Sequence, residues 1–282
     1  MAMLSIPLVS VFCSFLVFQW LFHHVSPRLF SWLCPAFLNL PHTHKTEWNI
    51  RTVSTLHALV VSPISLYIFL FDEGVNEDLI WGDPTLVKLN IAITTGYLLS
   101  GQVSDLTGHL VYTNLRSSQI YYLLVMFSSW EITGDKLFVV HHLVALYAYS
   151  YLLEQGVLPY FANFRLMSEF STPCVNQRWF FKVLGYHKTS VPNLVNGTLM
   201  AAVFFLVRLA VLPVYYYRVF EVYGTQAYHR VPTGARLTWM LSSLSLDVLN
   251  LLWMWRIWKG CLGVLRSYRR PEARDLPSSK TD

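Results

Sequence analysis

Charged residues are scarce in this chain of 282 residues, since Asp, Glu, Lys and Arg together make up only 13% of it. A soluble globular protein usually carries about twice that fraction. The apolar residues, which form 54% of the chain, lie in long blocks of roughly bilayer-spanning length. This distribution excludes a large soluble enzyme and leaves no stretch for a separate soluble catalytic domain. The sequence therefore predicts an all-α, polytopic membrane bundle.

Cysteines are also few, and Cys13, Cys34, Cys174 and Cys261 have neither metal-ligand spacing nor the pattern of a disulfide framework. The net charge of +5 does not indicate nucleic acid, because much of the excess lies after Trp255, beside the last apolar block. Such a cluster is typical of the cytosolic flank of a span. We predict membrane lipids as partners and no metal, and the oligomeric state stays open.

Apolar blocks divide the chain into about seven predicted transmembrane helices. They cover residues 4–22, 53–71, 86–130 with an interruption, 136–153, a more polar helix ending near Val175, 194–217 and 237–258. With a luminal N-terminus and a cytosolic C-terminus, every basic loop falls on one side, as the positive-inside rule requires.

The third block is interrupted, because its apolar run stops at Ser100 and resumes only at Ile120. Neither half reaches the roughly 20 residues that a helix needs to cross a bilayer. We predict one span that is split by a polar insert near residues 101–120, and a re-entrant helix is the alternative. The third helix would then bulge into water or be rerouted, since lipid does not tolerate irregular backbone.

Polar side chains inside the predicted spans are candidate functional residues, because a charge at the bilayer centre costs about 3 kcal/mol on insertion scales. They are His141, His142, Asn163, Arg165, Ser168, Glu169, Ser171, Asn176, Arg208, Asp247 and Asn250, with Lys88 and Asn90 near one end of the third span. Lys88 can snorkel and is assigned no function. The structural alternative pairs Arg165 with Glu169 on one helix face, and Arg208 with Asp247 across helices.

His141 and His142 are adjacent on one predicted helix, where neighbouring side chains point about 100° apart. Both imidazoles therefore cannot easily bind one metal ion, whereas metal-binding pairs are spaced at i and i+4. A neutral imidazole can act as a general base or as an acyl-accepting nucleophile. A packed, hydrogen-bonded pair and a catalytic pair both remain open.

The run GDKLFVVHH at residues 134–142 resembles the start of the core motif of the TLC-domain family, which includes the ceramide synthases. The stretches GVL at 156–158, NFRLMSEFSTP at 163–173 and NQRWF at 176–180 look like the TLC domain-containing protein 4 branch. Further similar stretches lie at residues 47–55, 67–73, 247–254 and 259–261. The resemblance covers nearly the whole chain.

This resemblance implies a TLC-type barrel in which spans two to seven surround a lipid-accepting cavity. The implied layout is a first span and loop at 1–45, a TLC domain at 46–262 and a basic cytosolic tail at 263–282. The implied setting is the endoplasmic reticulum, and the implied role is lipid homeostasis. In ceramide synthases the paired histidines carry acyl transfer from acyl-CoA, and the corresponding positions are His141 and His142.

The chain departs from the synthases at the acidic positions that follow their histidines. Asn163, Phe164 and Met167 stand where the synthases have a His-Asp pair and a second Asp, and Glu169 is the candidate substitute. The leading hypothesis is therefore a lipid-binding protein that influences membrane lipid composition, with Arg208, Asp247 and Asn250 in its cavity and no cofactor.

Two other hypotheses remain open. In the first, His141 or His142 acts in acyl transfer with acyl-CoA as co-substrate, while Asn163 or Arg165 stabilises the oxyanion. In the second, the protein is a carrier or adaptor whose histidines are structural. Arg178 at the cytosolic mouth would attract a phosphate, together with Lys182, although the positive-inside rule explains both residues equally well.

Overall fold

The computed structural model describes residues 6–113 and 136–269, which are almost entirely helical and contain no strand. The long helices are α1 (Ile6–Leu33), α2 (His42–Phe71), α3 (Thr85–Thr113), α4 (Lys136–Gln155), α5 (Pro159–Leu166), α6 (Thr172–Val183), α7 (Val191–Val222) and α8 (Thr233–Arg269). Short helices at Pro35–Leu38, Glu73–Glu77 and Gln226–Arg230 lie in the connections. The all-α bundle predicted from the sequence is confirmed.

Within the described residues, α1, α2, α7 and α8 are long and apolar enough to cross a membrane. The outer surface of the bundle exposes large apolar side chains such as Phe12, Phe220 and Leu241, whereas Asn90 and Ser65 are completely buried. Polar side chains inside and apolar side chains outside are the arrangement expected in lipid. The count of seven spans stays a prediction.

The third predicted span differs from its expected form, because α3 continues without a break past Ser100 to Thr113. A polar side chain does not interrupt the helical hydrogen bonds of its own backbone, and no proline lies in this helix. The helix therefore continues through the first part of the polar insert that was predicted to split this span. The rest of the insert and the apolar stretch 120–130 lie outside the described residues.

The fifth predicted helix is built from two pieces, α5 and α6, joined by a 3₁₀ turn at Met167–Ser171. Its predicted end near Val175 is wrong, because α6 continues to Val183. Pro173 lies in the first turn of α6, where the missing backbone N–H of proline costs no hydrogen bond. The 3₁₀ turn changes which side chains share a face, and this alters the site described below.

Buried amides hold α2, α3 and α5 together. The Nδ2 group of Asn90 donates to the Val61 carbonyl (3.1 Å) and to Ser65 Oγ (3.0 Å). The Nδ2 group of Asn163 donates to the Ser65 carbonyl at 3.0 Å. Asn90 was a candidate functional residue in the sequence, and these hydrogen bonds give it a structural role between α2 and α3.

The acidic connection between α2 and α3 caps the start of α3. Asp83 accepts hydrogen bonds from the hydroxyl and the backbone N–H of Thr85, at 2.6 and 2.9 Å. These bonds stabilise the ionised carboxylate and therefore lower the pKa of Asp83. The first turn of α3 thus has the negative cap that helix N-termini favour.

Candidate functional site

A cavity of about 430 Å³ lies between α2, α3, α4, α7, α8 and the α5–α6 segment. At one end, its basic mouth is lined by Arg51, Arg178 and Arg256, together with Glu47. At the other end, its floor is lined by Tyr149, Phe164, Arg165, Val211 and Leu246. The middle of the wall contains Ser54, His57, Thr94, Tyr97, Leu98, His141, His142, Ser168, Glu169, Met200, Phe204, Val207, Arg208, Asn250 and Trp253. Basic and polar groups therefore meet a largely apolar interior.

His141 and His142 both line this cavity, with 5.8 Å between their ring centroids. The His141 ring lies edge-on to Trp253 at 5.2 Å, and its buried Nδ1 has no hydrogen-bond partner in the described part of the chain. The His142 ring lies 6.5 Å from the Tyr97 ring. Both residues therefore lie in the cavity wall.

A third histidine, His57 of α2, lines the same cavity and was missed in the sequence. Its ring stacks on Tyr97, with 4.1 Å between centroids and an interplanar angle of 13°. Its Nε2 lies 3.2 Å from Thr94 Oγ1. The rule that singled out His141 could also have found His57, because His57 likewise lies inside an apolar span.

Glu169 lies in the 3₁₀ turn and lines the cavity, where its Oε2 accepts a 2.7 Å hydrogen bond from the Thr172 hydroxyl. Asn163, by contrast, is only 2% exposed and its amide donates to the Ser65 carbonyl. The structure thus places Asn163 in the α2–α5 interface and leaves Glu169 as the acidic residue facing the histidines.

Arg165 forms a two-point ion pair with Asp247 of α8, with Nη–Oδ distances of 2.5 and 3.1 Å. Its guanidinium lies 4.1 Å from the Tyr215 ring centroid, and the Tyr216 hydroxyl donates to Asp247 at 2.6 Å. The predicted pairing of Arg165 with Glu169 is therefore wrong. It assumed α-helical spacing, whereas the 3₁₀ turn rotates Glu169 onto another face.

Arg208 is 7% exposed and is also not paired as predicted. Its Nε donates to Ser171 Oγ and its Nη1 to Asn250 Oδ1, both at 2.9 Å. Asp247 instead pairs with Arg165, so the predicted pair of Arg208 with Asp247 is wrong. Arg208 and Asn250 line the cavity, whereas Asp247 lies behind Arg165 and does not.

At the basic mouth, Arg51 is held by Glu47 at 2.8 Å and lies 4.9 Å from the Trp179 ring. Arg178 extends between α7 and α8, where Gly197 and Gly260 leave room for its guanidinium. A Cβ at Gly260 would lie 3.5 Å from this group, and one at Gly197 would lie 3.9 Å from it.

Two other residues from the sequence-based candidates lie away from the cavity or at its edge. Lys182, predicted at the mouth, does not line the cavity. Asn176 lines the cavity near Arg51 and donates to the Arg51 carbonyl at 3.1 Å, so that it fastens α6 to α2. In the described part of the chain, no three His, Cys, Asp or Glu residues are grouped closely enough to hold a metal ion.

The helical bundle, its apolar outer surface and its internal cavity define a polytopic membrane protein. The family model of the TLC domain matches residues 47–259, which is more than half of the chain. The chain therefore belongs to the TLC-domain family, and its match begins with α2 and ends within α8.

Named relatives lie in the same family. The chain is 52% identical to TLC domain-containing protein 4-B of Xenopus laevis, over 89% of this chain and 88% of the relative. It is 44% identical to human TLC domain-containing protein 4, over 98% and 97%. It is 26% identical to Topoisomerase I damage affected protein 4 of Saccharomyces cerevisiae, over 84% and 75%. No solved structure matches the chain.

Proposed function

We propose that this protein binds a lipid with an acyl chain inside the cavity and thereby influences the lipid composition of its membrane, in the endoplasmic reticulum. The observation that carries the proposal is the 430 Å³ cavity, whose size is typical of small-molecule sites. Its basic and polar residues would bind the polar part of a lipid, and its apolar residues would accommodate the chain.

The shape of the lining supports an amphipathic ligand over a fully polar one. Phe164, Val211 and Leu246 line the floor beside Tyr149 and Arg165, while Arg178 and Arg256 lie at the opposite end. An acyl chain that moves from the bilayer to these apolar side chains stays in an apolar environment, and a polar group can hydrogen-bond to the basic residues of the lining. A lipid oriented along the cavity would satisfy both requirements.

The second candidate is acyl transfer, favoured by the position of His141 and His142 in the wall beside Glu169. An unprotonated imidazole would attack the thioester carbonyl of acyl-CoA as co-substrate, and the C–S bond would break to release the CoA thiolate. The acyl group would then pass from the imidazole to a hydroxyl or amine of an acceptor lipid, and the free imidazole would be restored. The proposed oxyanion donors support this less well. Asn163 faces the α2–α5 interface, and both Nη groups of Arg165 bond to Asp247.

We expect the substitution Val207→Trp to abolish the effect of the protein on lipid composition, because the added rings would fill the cavity that Val207 lines. Quantitative lipid mass spectrometry of cells that express each variant at matched levels measures this effect. Val214→Trp is the control, because Val214 is on the same helix but is exposed on the outer surface. An equal effect of Val207→Trp and wild type would contradict the proposal.

The double variant His141→Ala/His142→Ala separates binding from catalysis in the same experiment. If the protein acts by binding, the double variant keeps at least about half of the wild-type shift, because a few contacts dominate binding energy and the others are close to neutral. Complete loss of the shift in a variant that folds normally would instead make acyl transfer the leading account.

A further inference from the structure

Arg208 is a buried cation that lines the cavity and forms no ion pair within the described residues. Two carboxylates of this region are paired elsewhere, since Asp247 pairs with Arg165 and Glu47 pairs with Arg51. Glu169 lines the same cavity and its charge acts on Arg208, but it forms no ion pair with Arg208, and its hydrogen bond is to Thr172. A charge without a direct ion pair is costly inside a membrane protein, which makes such a residue a candidate binding group.

The surroundings hold this guanidinium in one orientation. Ser171 and Asn250 accept from Nε and Nη1, and the rings of Phe204 and Trp253 lie 4.9 and 6.0 Å away. Nη2 has no hydrogen-bond partner among the described residues. The two acceptors that hold Arg208 are neutral, so they orient the charge without balancing it.

Two further features point to a ligand at this place. Arg208 lies in the middle of a π-helical turn, Leu206–Ala210, and such turns within α-helices are frequent at functional sites. His141 also packs on Trp253, and its buried Nδ1 has no partner. A free guanidinium nitrogen and an unpaired imidazole nitrogen therefore line the same part of the cavity.

We propose that Arg208 binds the carboxylate of an unesterified long-chain fatty acid, an inference that rests on the proposed lipid-binding function. One guanidinium balances one negative charge, and its fork of donors fits a carboxylate. The apolar side chains of Phe204, Val207 and Val211 would contact the acyl chain. An ester or a sterol would leave the charge of Arg208 without a counter-ion.

The position of Arg208 within the cavity favours a carboxylate over a phosphate headgroup. The basic mouth at Arg51, Arg178 and Arg256 is the place where a large phosphate headgroup would find several cations. Arg208 instead lies beside Phe204 and Trp253, where one guanidinium can pair with a single small anion. If the carboxylate binds at Arg208, we also expect the arginines at the mouth to contribute little to the affinity.

The test is the binding of oleate and of methyl oleate to the purified full-length protein in lipid nanodiscs. We expect oleate to bind wild type and to raise its thermal midpoint, and methyl oleate to bind much more weakly. Arg208→Gln replaces the guanidinium by a shorter side chain that can still form hydrogen bonds but carries no charge. It should weaken oleate binding at least about 30-fold, as truncation of one partner of a buried charge pair does, and leave methyl oleate unchanged.

Arg218→Gln is the matched control, because it removes an arginine of the same helix that does not line the cavity, and it should change oleate affinity less than about threefold, a small fraction of the effect of losing a buried partner. Without ligand, Arg208→Gln should leave the thermal midpoint close to that of wild type, because it removes a buried charge that lacks a direct ion pair. A lowered midpoint with unchanged oleate affinity would overturn the inference and assign Arg208 a structural role. Equal binding of oleate and methyl oleate to wild type, which needs no variant, would overturn it as well.

The outcomes also separate this inference from the function on which it rests. If Val207→Trp abolishes lipid effects but oleate affinity does not depend on Arg208, the cavity binds lipid and only the carboxylate assignment fails. If Val207→Trp changes neither lipid composition nor oleate binding, the lipid-binding function itself fails.

Discussion

The substitution Asp247→Asn is expected to destabilise the folded protein by about 3–5 kcal/mol, the cost of removing one partner from a buried ion pair. Asp247 is 6% exposed and accepts two bonds from Arg165. Asparagine has nearly the same size and would keep a bond to the Tyr216 hydroxyl. The loss would therefore come from the charge of Arg165, which would remain buried without a counter-ion.

The double variant Arg165→Met/Asp247→Leu is the matched control, because it removes both charges and keeps apolar volume. Replacement of a whole buried ion pair by apolar residues is often neutral or stabilising. We therefore expect the free energy of unfolding of the double variant to be closer to wild type than that of Asp247→Asn alone. Such a difference would show a large coupling free energy between the two positions.

Denaturation by sodium dodecyl sulfate in bicelles would measure these free energies, and the thermal midpoint in detergent would provide an independent comparison. Equal losses in Asp247→Asn and in the double variant would contradict the argument, since the cost would then not arise from an unpaired charge. The ion pair would in that case be a contact of ordinary strength between α5 and α8.

Hydrophobic block length and intramembrane polarity predicted the helical bundle and several of the polar residues that line the cavity. His141, His142 and Arg208 were singled out because polar groups are costly in lipid, and all three line the cavity. The same rule applies to His57, because it lies inside the predicted span 53–71, but His57 was not singled out.

The pairings could not be predicted, because they depend on local geometry that residue spacing does not encode. Arg165 and Glu169 are four apart in sequence, but the 3₁₀ turn at Met167–Ser171 places them on different faces. The helical continuation of α3 past Ser100 could not be predicted for a related reason, since side-chain polarity does not decide where backbone hydrogen bonds end. The neutral hydrogen-bond partners that Arg208 has among the described residues could be identified only from the three-dimensional arrangement of α6, α7 and α8.

The packing of α1 against α3 depends on Gly96, and the substitution Gly96→Leu should separate these helices. A Cβ at this position would lie 2.5 Å from Ser14 Cβ, 2.7 Å from the Val11 carbonyl oxygen and 2.8 Å from the Phe15 nitrogen. Two of these atoms belong to the backbone of α1, so a rotamer change cannot relieve the clash. Overpacking typically costs about 1–3 kcal/mol and occasionally more, and we expect the upper end here.

The clash should also reach the cavity, although α1 precedes the region that matches the TLC domain. Phe18 of α1 packs against His57 and Tyr97, with ring centroids 6.0 and 5.5 Å away. Both of these residues line the cavity. Displacement of α1 would therefore remove the outer support of this wall, and the effect of the protein on lipid composition should fall with its stability.

Gly101→Leu is the control, because Gly101 lies further along the same helix and a Cβ there would meet nothing within 4 Å. Both substitutions raise helix propensity by about 0.8 kcal/mol, so the difference between them isolates the clash. We expect Gly101→Leu to be at least as stable as wild type in the bicelle assay, and Gly96→Leu to lose both stability and lipid effect. A Gly96→Leu variant as stable as Gly101→Leu would mean that α1 is not seated on α3 at this glycine and does not support the cavity wall.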